Sequence, residues 1–341
     1  MERARLLVIV NHAAARARRA WPDVRAHLER ARVRFDAHES VRDGETEGRT
    51  RAALAQGYTT VAVVGGDGTL SAATNGYFEP CAPLGADELP RAINPSASLA
   101  ILPAGTGDDF ARGLTSGRRE PLEAWLARLV AHSRTAVEEE ARGRSETTRR
   151  VDVLLGSVDA GARRFICLNA ATLGVGAEVA GRVAAQGARV RRLPGELRFA
   201  WAAIQSLAAW RDRRVRLRVE GGGPASEEGE WTECRTNLIA VVNGTYAGGG
   251  MNFSPAASLT DGLLDLLTVC RLSRARLLRE LARVHRGGHL ANPKVKLTRG
   301  TRARIETHDP ADPLPVEADG DVRGHTPAEF QVMPSALRVV F

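Results

Sequence analysis

The chain has 341 residues, 43% apolar and 26% charged, with a formal net charge of +8. That length buries one large or two ordinary cores, and the composition is that of a globular protein, which excludes a disordered or fibrous chain. Four scattered cysteines (Cys81, Cys167, Cys234, Cys270) with no CxxC pair exclude a disulfide framework and a structural zinc site of ordinary spacing; they fit free thiols in a reducing compartment. Lys294 and Lys296 are the two lysines, so 46 of the 48 basic residues are arginine. P-loop NTPases and protein kinases need a phosphate-contacting lysine, and the N-terminal half has none. The positive charge is compatible with an anionic partner: nucleic acid, a membrane surface or a phosphorylated ligand.

In chain order, Leu6–Val10 reads as a strand, too short for a signal-peptide core, and Trp21–Ala31 as a helix. Val33–Ala37 follows as a strand, Thr46–Gln56 as a helix, Val61–Val64 as a third strand and Leu99–Leu102 as a fourth. This alternation predicts a parallel sheet covered by helices, whose ligands bind beyond the carboxyl ends of the strands. Ser133–Arg150 is polar (SRTAVEEEARGRSETTRR) and reads as a linker or solvated hairpin. Beyond it the texture is β-rich, with Gly221–Glu230 as a hairpin loop, a helical insert over Glu196–Trp210 and a shorter helix over Arg274–Arg283. The longest apolar stretch, Phe199 to Trp210, is shorter than the roughly 20 residues that span a bilayer. The expected organisation is an α/β nucleotide-binding domain at 1–132, a linker at 133–150 and a mostly antiparallel β-sandwich domain at 151–341, in a cytoplasmic protein.

Four clusters carry chemistry. Val61–Val64 runs into Gly65-Gly66-Asp67-Gly68-Thr69, where three glycines let backbone N–H groups approach a phosphate at the start of a helix. Pro103-Ala104-Gly105-Thr106-Gly107-Asp108-Asp109 repeats the device at a second strand end, and two such loops suit a triphosphate with its Mg²⁺; the plainer reading is that Asp108 caps the helix beginning at Asp109. The third runs from Asn243-Gly244 through Gly248-Gly249-Gly250 to Asp261-Gly262, which is also a hairpin signal. In the fourth, Val316-Glu317-Ala318-Asp319-Gly320-Asp321, a β-turn explains Asp319-Gly320 but does not ask for the carboxylate of Asp321.

Taken in this order, from Asn11-His12 through GGDGT, LPAGTGDDFAR, Asn169…Gly174-Val175-Gly176, NGTYAGGG, PAASLTDGLLD and the final DGD, the set resembles the diacylglycerol kinase catalytic-domain superfamily, in particular its bacterial lipid kinases, and covers nearly the whole chain. NAD kinases share that fold more distantly. The resemblance implies that Gly65, Gly66, Asp67, Gly68, Thr69, Leu70 and Ser71 form the ATP phosphate loop and that Thr106 contacts the nucleotide, with Ser40 as a further nucleotide contact. It implies a structural Mg²⁺ on Asp261 and the backbone carbonyls of Ser258 and Leu263, and it gives Asp321 the role of proton acceptor for the lipid hydroxyl. Two positions depart from the family's usual residues: Asp108 stands for asparagine and Asp321 for glutamate.

The implied activity is ATP-dependent phosphorylation of diacylglycerol or a related lipid at a membrane surface, by a cytoplasmic enzyme making peripheral contact at the inner face. The arginines of 182–198 beside Phe199, Trp201 and Trp210 suit such contact; the alternative is a solvated basic face with the tryptophans in the core. An NAD-kinase-like phosphotransferase and a catalytically silent ATP- or membrane-binding module are the competing readings. Nucleic-acid binding rests on charge alone, without a recognition motif and with 5% aromatic residues, and no stable protein partner is implied.

Overall fold

The computed structural model describes residues 5–41, 44–80, 88–142, 146–187, 190, 195–222 and 229–341, with backbone alone at 136–142 and 195–200. Cys81 and residues 223–228 of the expected hairpin loop lie outside the described residues. The chain forms two units: one from the described residues up to 80, Glu88–Val153 and Pro334–Phe341, the other from Leu154–Met333.

In the first unit β1 (Leu6–Asn11), α1 (Ala15–Arg30), β2 (Asp36–Ser40), α2 (Glu45–Ala55), β3 (Thr60–Gly65), α3 (Asp67–Tyr77), β4 (Ser98–Pro103), α4 (Asp109–Leu114) and α5 (Leu122–Arg142) follow one another. The strands pair in parallel in the order β2-β1-β3-β4, and Val339 of the last strand continues the sheet by pairing in parallel with Leu99. β1, β3 and β4 are buried almost throughout, as strands covered by helices on both faces must be. Ala17, Trp21, Val24 and Leu28, spaced by three and four, form the buried stripe of α1.

Three expectations change here. α1 starts six residues before Trp21 and continues through Pro22, because Ala17 and Trp21 both reach the core. β2 lies three residues later than Val33–Ala37, since its pairing with β1 outweighs its polar composition. Residues 133–142 are the second half of α5 and not a linker: their alanines, glutamates and arginines are strong helix formers, and Leu129, Val130 and His132 are buried just before that half. The chain enters the second unit within β5 (Thr148–Val158).

The second unit contains β6 (Arg163–Cys167), β7 (Ala170–Gly174), α6 (Val175–Ala184), α7 (Gly195–Ala209), β8 (Arg213–Glu220), β9 (Thr232–Val242), β10 (Tyr246–Ala247), β11 (Met251–Asn252), β12 (Leu264–Cys270), α8 (Arg274–Val284), β13 (Val295–Gly300), β14 (Arg302–Thr307), β15 (Pro315–Ala318), β16 (Asp321–His325) and β17 (Ala328–Val340). Its strands are antiparallel in the order β16-β15-β7-β9-β8-β14-β17, with β12 paired to β9 and β13 to β12. Valine, leucine and isoleucine from β7, β9, β12 and β14 fill its core together with Trp210, and Phe165 packs edge-to-face on Phe330 at 6.3 Å. The fold is thus the expected one, a parallel α/β unit and a mostly antiparallel β unit. β17 returns to the first unit at Pro334, so the eight residues Pro334–Phe341, read from sequence as part of the second domain, complete the first.

Candidate active site

In the first unit the parallel register brings the carboxyl ends of four strands to one edge: Asn11 lies opposite Ser40, and Gly65 opposite Pro103. Asn11 Nδ2 donates to Thr69 Oγ1 at 2.9 Å, and the His12 N–H donates to the Ser40 carbonyl at 2.8 Å. Ser40 therefore stands beside the first strand end. Gly66 occupies the N-cap of α3 in an extended conformation, and the N–H groups of Thr69 and Leu70 both close on its carbonyl at 3.0 and 3.1 Å. No side chain caps this helix, so its first amides and its positive dipole end point beyond the sheet edge. Leu70 and Ser71 are buried in α3.

The second glycine loop touches the first. A Cβ on Gly105 would sit 2.6 Å from the Gly66 Cα and 2.6 Å from Asp108 Oδ1, so glycine at 105 is a condition of the two loops meeting. Asp67 Oδ1 accepts the Phe110 N–H at 3.2 Å and ties the loops a second time. Asp108 occupies the N-cap position of α4 with a left-handed φ of 50°, yet its carboxylate does not cap that helix; Oδ1 accepts the Gly105 N–H at 2.8 Å and closes its own loop. Burial raises the Asp108 pKa, and the nearby charge of Asp67 adds to the rise. Two arginines that the motif reading passed over hold this loop from outside: Arg16 Nη1 donates to the Gly105 carbonyl at 2.7 Å, and Arg119 Nη2 to the carbonyls of Thr106 and Gly107 at 2.7 and 3.0 Å. The near-absence of lysine was the signal for them, because a phosphate site in this chain must draw its cations from arginine. Thr106 is exposed.

In the second unit three sequence clusters gather around one carboxylate. Asp319 and Gly320, with φ of 50° and 98°, make the two-residue turn between β15 and β16. Asp319 does more than turn the chain. Its oxygens accept the N–H groups of Leu168 at 2.7 Å, Asn169 at 2.8 Å and Ala170 at 3.4 Å. Asn243 Nδ2 donates to the Leu168 carbonyl at 2.8 Å, and the N–H groups of Asn243 and Gly244 donate to the Asn169 carbonyl at 2.8 and 3.1 Å. The knot fixes the hairpin that carries Asp321. That side chain is 70% exposed and pairs with Arg323 Nη2 at 3.3 Å.

Below the turn, Glu317 is buried, accepting the Thr172 hydroxyl at 2.5 Å and the Gly320 N–H at 2.5 Å. Burial pushes its carboxyl up to about 7, with the charges of Asp319 and Asp321 adding to the rise. The folded state therefore keeps a proton that the unfolded chain releases near pH 4.5. The stability from that proton is complete below pH 4.5 and is lost as pH rises to about 7. Glu317→Gln, measured by denaturant unfolding from pH 4 to 8, is expected to remove roughly 3 kcal/mol of pH dependence from the wild-type curve; parallel curves would rule out the buried acid.

Around the expected metal position, Asp261 Oδ1 accepts the Leu263 N–H at 3.1 Å, its Oδ2 faces Arg299 Nη2 at 3.2 Å, and the Ser258 hydroxyl accepts the Thr260 N–H at 3.3 Å. Elsewhere on the unit, the apolar helix α7 divides: Ala202, Ala203 and Leu207, followed by Trp210, are buried, whereas Trp201 and Ile204 are each 55% exposed. Of Trp201 and Trp210, only Trp210 is a core residue. In the arginine-rich run before it, residues 188–189 and 191–194 lie outside the described residues, and so do the side chains of 195–200.

Residues 5–138 match the diacylglycerol kinase catalytic domain, and residues 171–341 match the YegS C-terminal NAD kinase beta sandwich-like domain. The chain belongs to the diacylglycerol kinase catalytic-domain superfamily, in its YegS-like branch. Among relatives of this family, a diacylglycerol kinase of Mycobacterium tuberculosis (strain CDC 1551 / Oshkosh) is 29% identical over 289 residues, 85% of this chain and 79% of that protein. A YegS-like lipid kinase of Stenotrophomonas maltophilia (strain K279a) is 26% identical over 321 residues, 93% of this chain and 90% of its own. A crystal structure of a diacylglycerol kinase from Bacillus anthracis str. Sterne superposes with a TM-score of 0.61 at 18% identity, covering 99% of this chain and 96% of that one, which shows the shared fold. The chain is thus a homologue of lipid kinases over up to 93% of its length.

Proposed function

We propose that this protein is an ATP-dependent lipid kinase that transfers the γ-phosphate to a hydroxyl of diacylglycerol or a related lipid. The observation that carries the reading is the contact between the Gly66 and Gly105 loops at the carboxyl edge of the parallel sheet, beside an uncapped helix N-terminus. Backbone amides of 66–68 and 106–107 bind the phosphates of ATP, which arrives with its Mg²⁺ as substrate. Arg16 and Arg119 hold the second loop and place two guanidinium charges next to it. Asp321 takes the proton of the acceptor hydroxyl as that oxygen attacks the γ-phosphorus, and Asp319 positions the turn on which it stands. Most of the barrier lowering comes from positioning and charge, with a smaller share from proton transfer.

The test is transfer of labelled phosphate from ATP to a panel of lipids in micelles, with NAD as a soluble acceptor in parallel. Label appearing in diacylglycerol or another glycerolipid supports the reading; label in NAD alone, or ATP binding without transfer to any acceptor, would replace it.

The substrate lies in a bilayer, and no helix among the described residues is long and apolar enough to cross one. Trp201 and Ile204, three residues apart on α7, are the most exposed large apolar side chains among the described residues of this unit. Trp201→Asp with Ile204→Asp is expected to cut sedimentation with anionic vesicles, and activity on lipid in those vesicles, roughly tenfold. Activity on a short-chain, water-soluble diacylglycerol should stay unchanged; unaltered vesicle binding would place the docking face elsewhere.

A further inference from the structure

The resemblance leads one to expect a resident Mg²⁺ on Asp261 and the carbonyls of Ser258 and Leu263. The side chains at this position do not fit one. The carboxylates nearest the turn are already gripped. Asp265, 2% exposed, has Oδ2 accepting the Ser254 hydroxyl at 2.5 Å and Oδ1 accepting Arg299 Nε at 2.6 Å. Nη2 of the same guanidinium reaches Asp261 Oδ2 at 3.2 Å and the Ala256 carbonyl at 2.9 Å, while Asp261 Oδ1 accepts the Leu263 N–H.

We propose that the guanidinium of Arg299 is the built-in cation of the 254–265 segment, standing where a divalent ion is expected and holding the segment without metal. Arg299 reaches it from β13, where it is the direct cross-strand partner of Asp265 on β12, so the sheet register itself delivers the charge. The chemistry suits the role. A guanidinium is permanently charged, planar and rich in donors, and one group can serve two carboxylates and a carbonyl together. Mg²⁺ favours near-octahedral oxygen coordination, and the one carboxylate it would take here, Asp261, already shares its Oδ2 with the Arg299 guanidinium.

The simpler reading is a surface ion pair of little consequence, since the Arg299 side chain is 38% exposed. Its principal partner argues otherwise. Asp265 is buried, and removing the cation from a buried carboxylate is the costly way to break a pair.

The experiment is thermal melting of the nucleotide-free protein in EDTA and in millimolar MgCl₂, for wild type, Arg299→Met and Arg299→Lys, with equilibrium dialysis against Mn²⁺. Wild type is expected to melt at the same temperature in both buffers and to retain no stoichiometric Mn²⁺. Arg299→Met should melt lower by roughly 5 °C or more and recover part of the loss in MgCl₂, because the acidic turn is then open to a divalent ion. Arg299→Lys, whose ammonium reaches fewer of the acceptors, should fall between the two. A wild-type melting point that drops in EDTA, or one Mn²⁺ per chain that Asp261→Asn loses, overturns the proposal. So does an Arg299→Met protein that melts like wild type. If that variant does not fold, the wild-type and Arg299→Lys measurements decide. None of these readouts depends on which lipid is phosphorylated.

Discussion

Asp321→Asn is expected to lower kcat for lipid phosphorylation by about 10²–10⁴-fold while ATP affinity and the melting temperature stay at wild-type values. The amide is isosteric but accepts no proton at neutral pH, so the loss is confined to the step in which the acceptor hydroxyl must be deprotonated. Stability is spared because the side chain is 70% exposed and its ion pair with Arg323 lies at the surface. Such pairs contribute at most about 1 kcal/mol. Asp321→Glu, which restores the family's usual residue, should keep at least wild-type turnover and so separates the carboxylate's chemistry from its reach. Near wild-type turnover in Asp321→Asn would remove this residue from the mechanism, with Glu317 the next carboxylate to test on the same hairpin.

The second large effect is expected at Gly105. Its alanine variant places a Cβ 2.6 Å from the Gly66 Cα, and backbone there cannot yield as a flexible side chain could. The two glycine loops must separate, and the surface proposed to bind phosphate separates with them. ATP binding measured by calorimetry should weaken by at least roughly 100-fold, the scale on which misplacement by about 1 Å is felt. Gly68 supplies the contrast, because a Cβ there meets nothing within 4 Å. Gly68→Ala should melt at or above the wild-type temperature, since alanine is the better helix former by about 1 kcal/mol. It should nevertheless weaken ATP binding, because the new methyl stands where a phosphate approaches. Unchanged affinity in both variants would mean that the nucleotide binds elsewhere.

What the sequence disclosed follows the physics of each element. β1, β3 and β4 are buried on both faces and read as continuous apolar runs, so their places and the glycine loops at their ends were legible. β2 has the sequence DAHES and pairs with β1 as the outermost strand of the parallel order; nothing in its pattern announces a strand, and only pairing locates it. Sequence alone places the helix from Trp21 on, whereas α1 starts at Ala15 and accommodates Pro22 in its interior. The Asp319-Gly320 turn was legible from its dipeptide. The work of the Asp319 carboxylate was not, since the amides it accepts lie about 150 residues earlier in the chain. Arg299 escaped notice for a similar reason: in a chain with 46 arginines no single one stands out, and its significance appears only when the register sets it opposite Asp265.

The return of β17 to the first unit has a consequence for how the protein is made. Leu99 and its neighbours in β4 form an apolar strand whose outer side is covered by Val339, a residue that leaves the ribosome only after the whole of the second unit. Until then β4 is an unprotected sheet edge, the kind that pairs with other chains. The first unit is therefore first to emerge and last to be sealed, and a fragment ending near residue 150 should be a poor subject for expression, prone to aggregate where the complete chain is not.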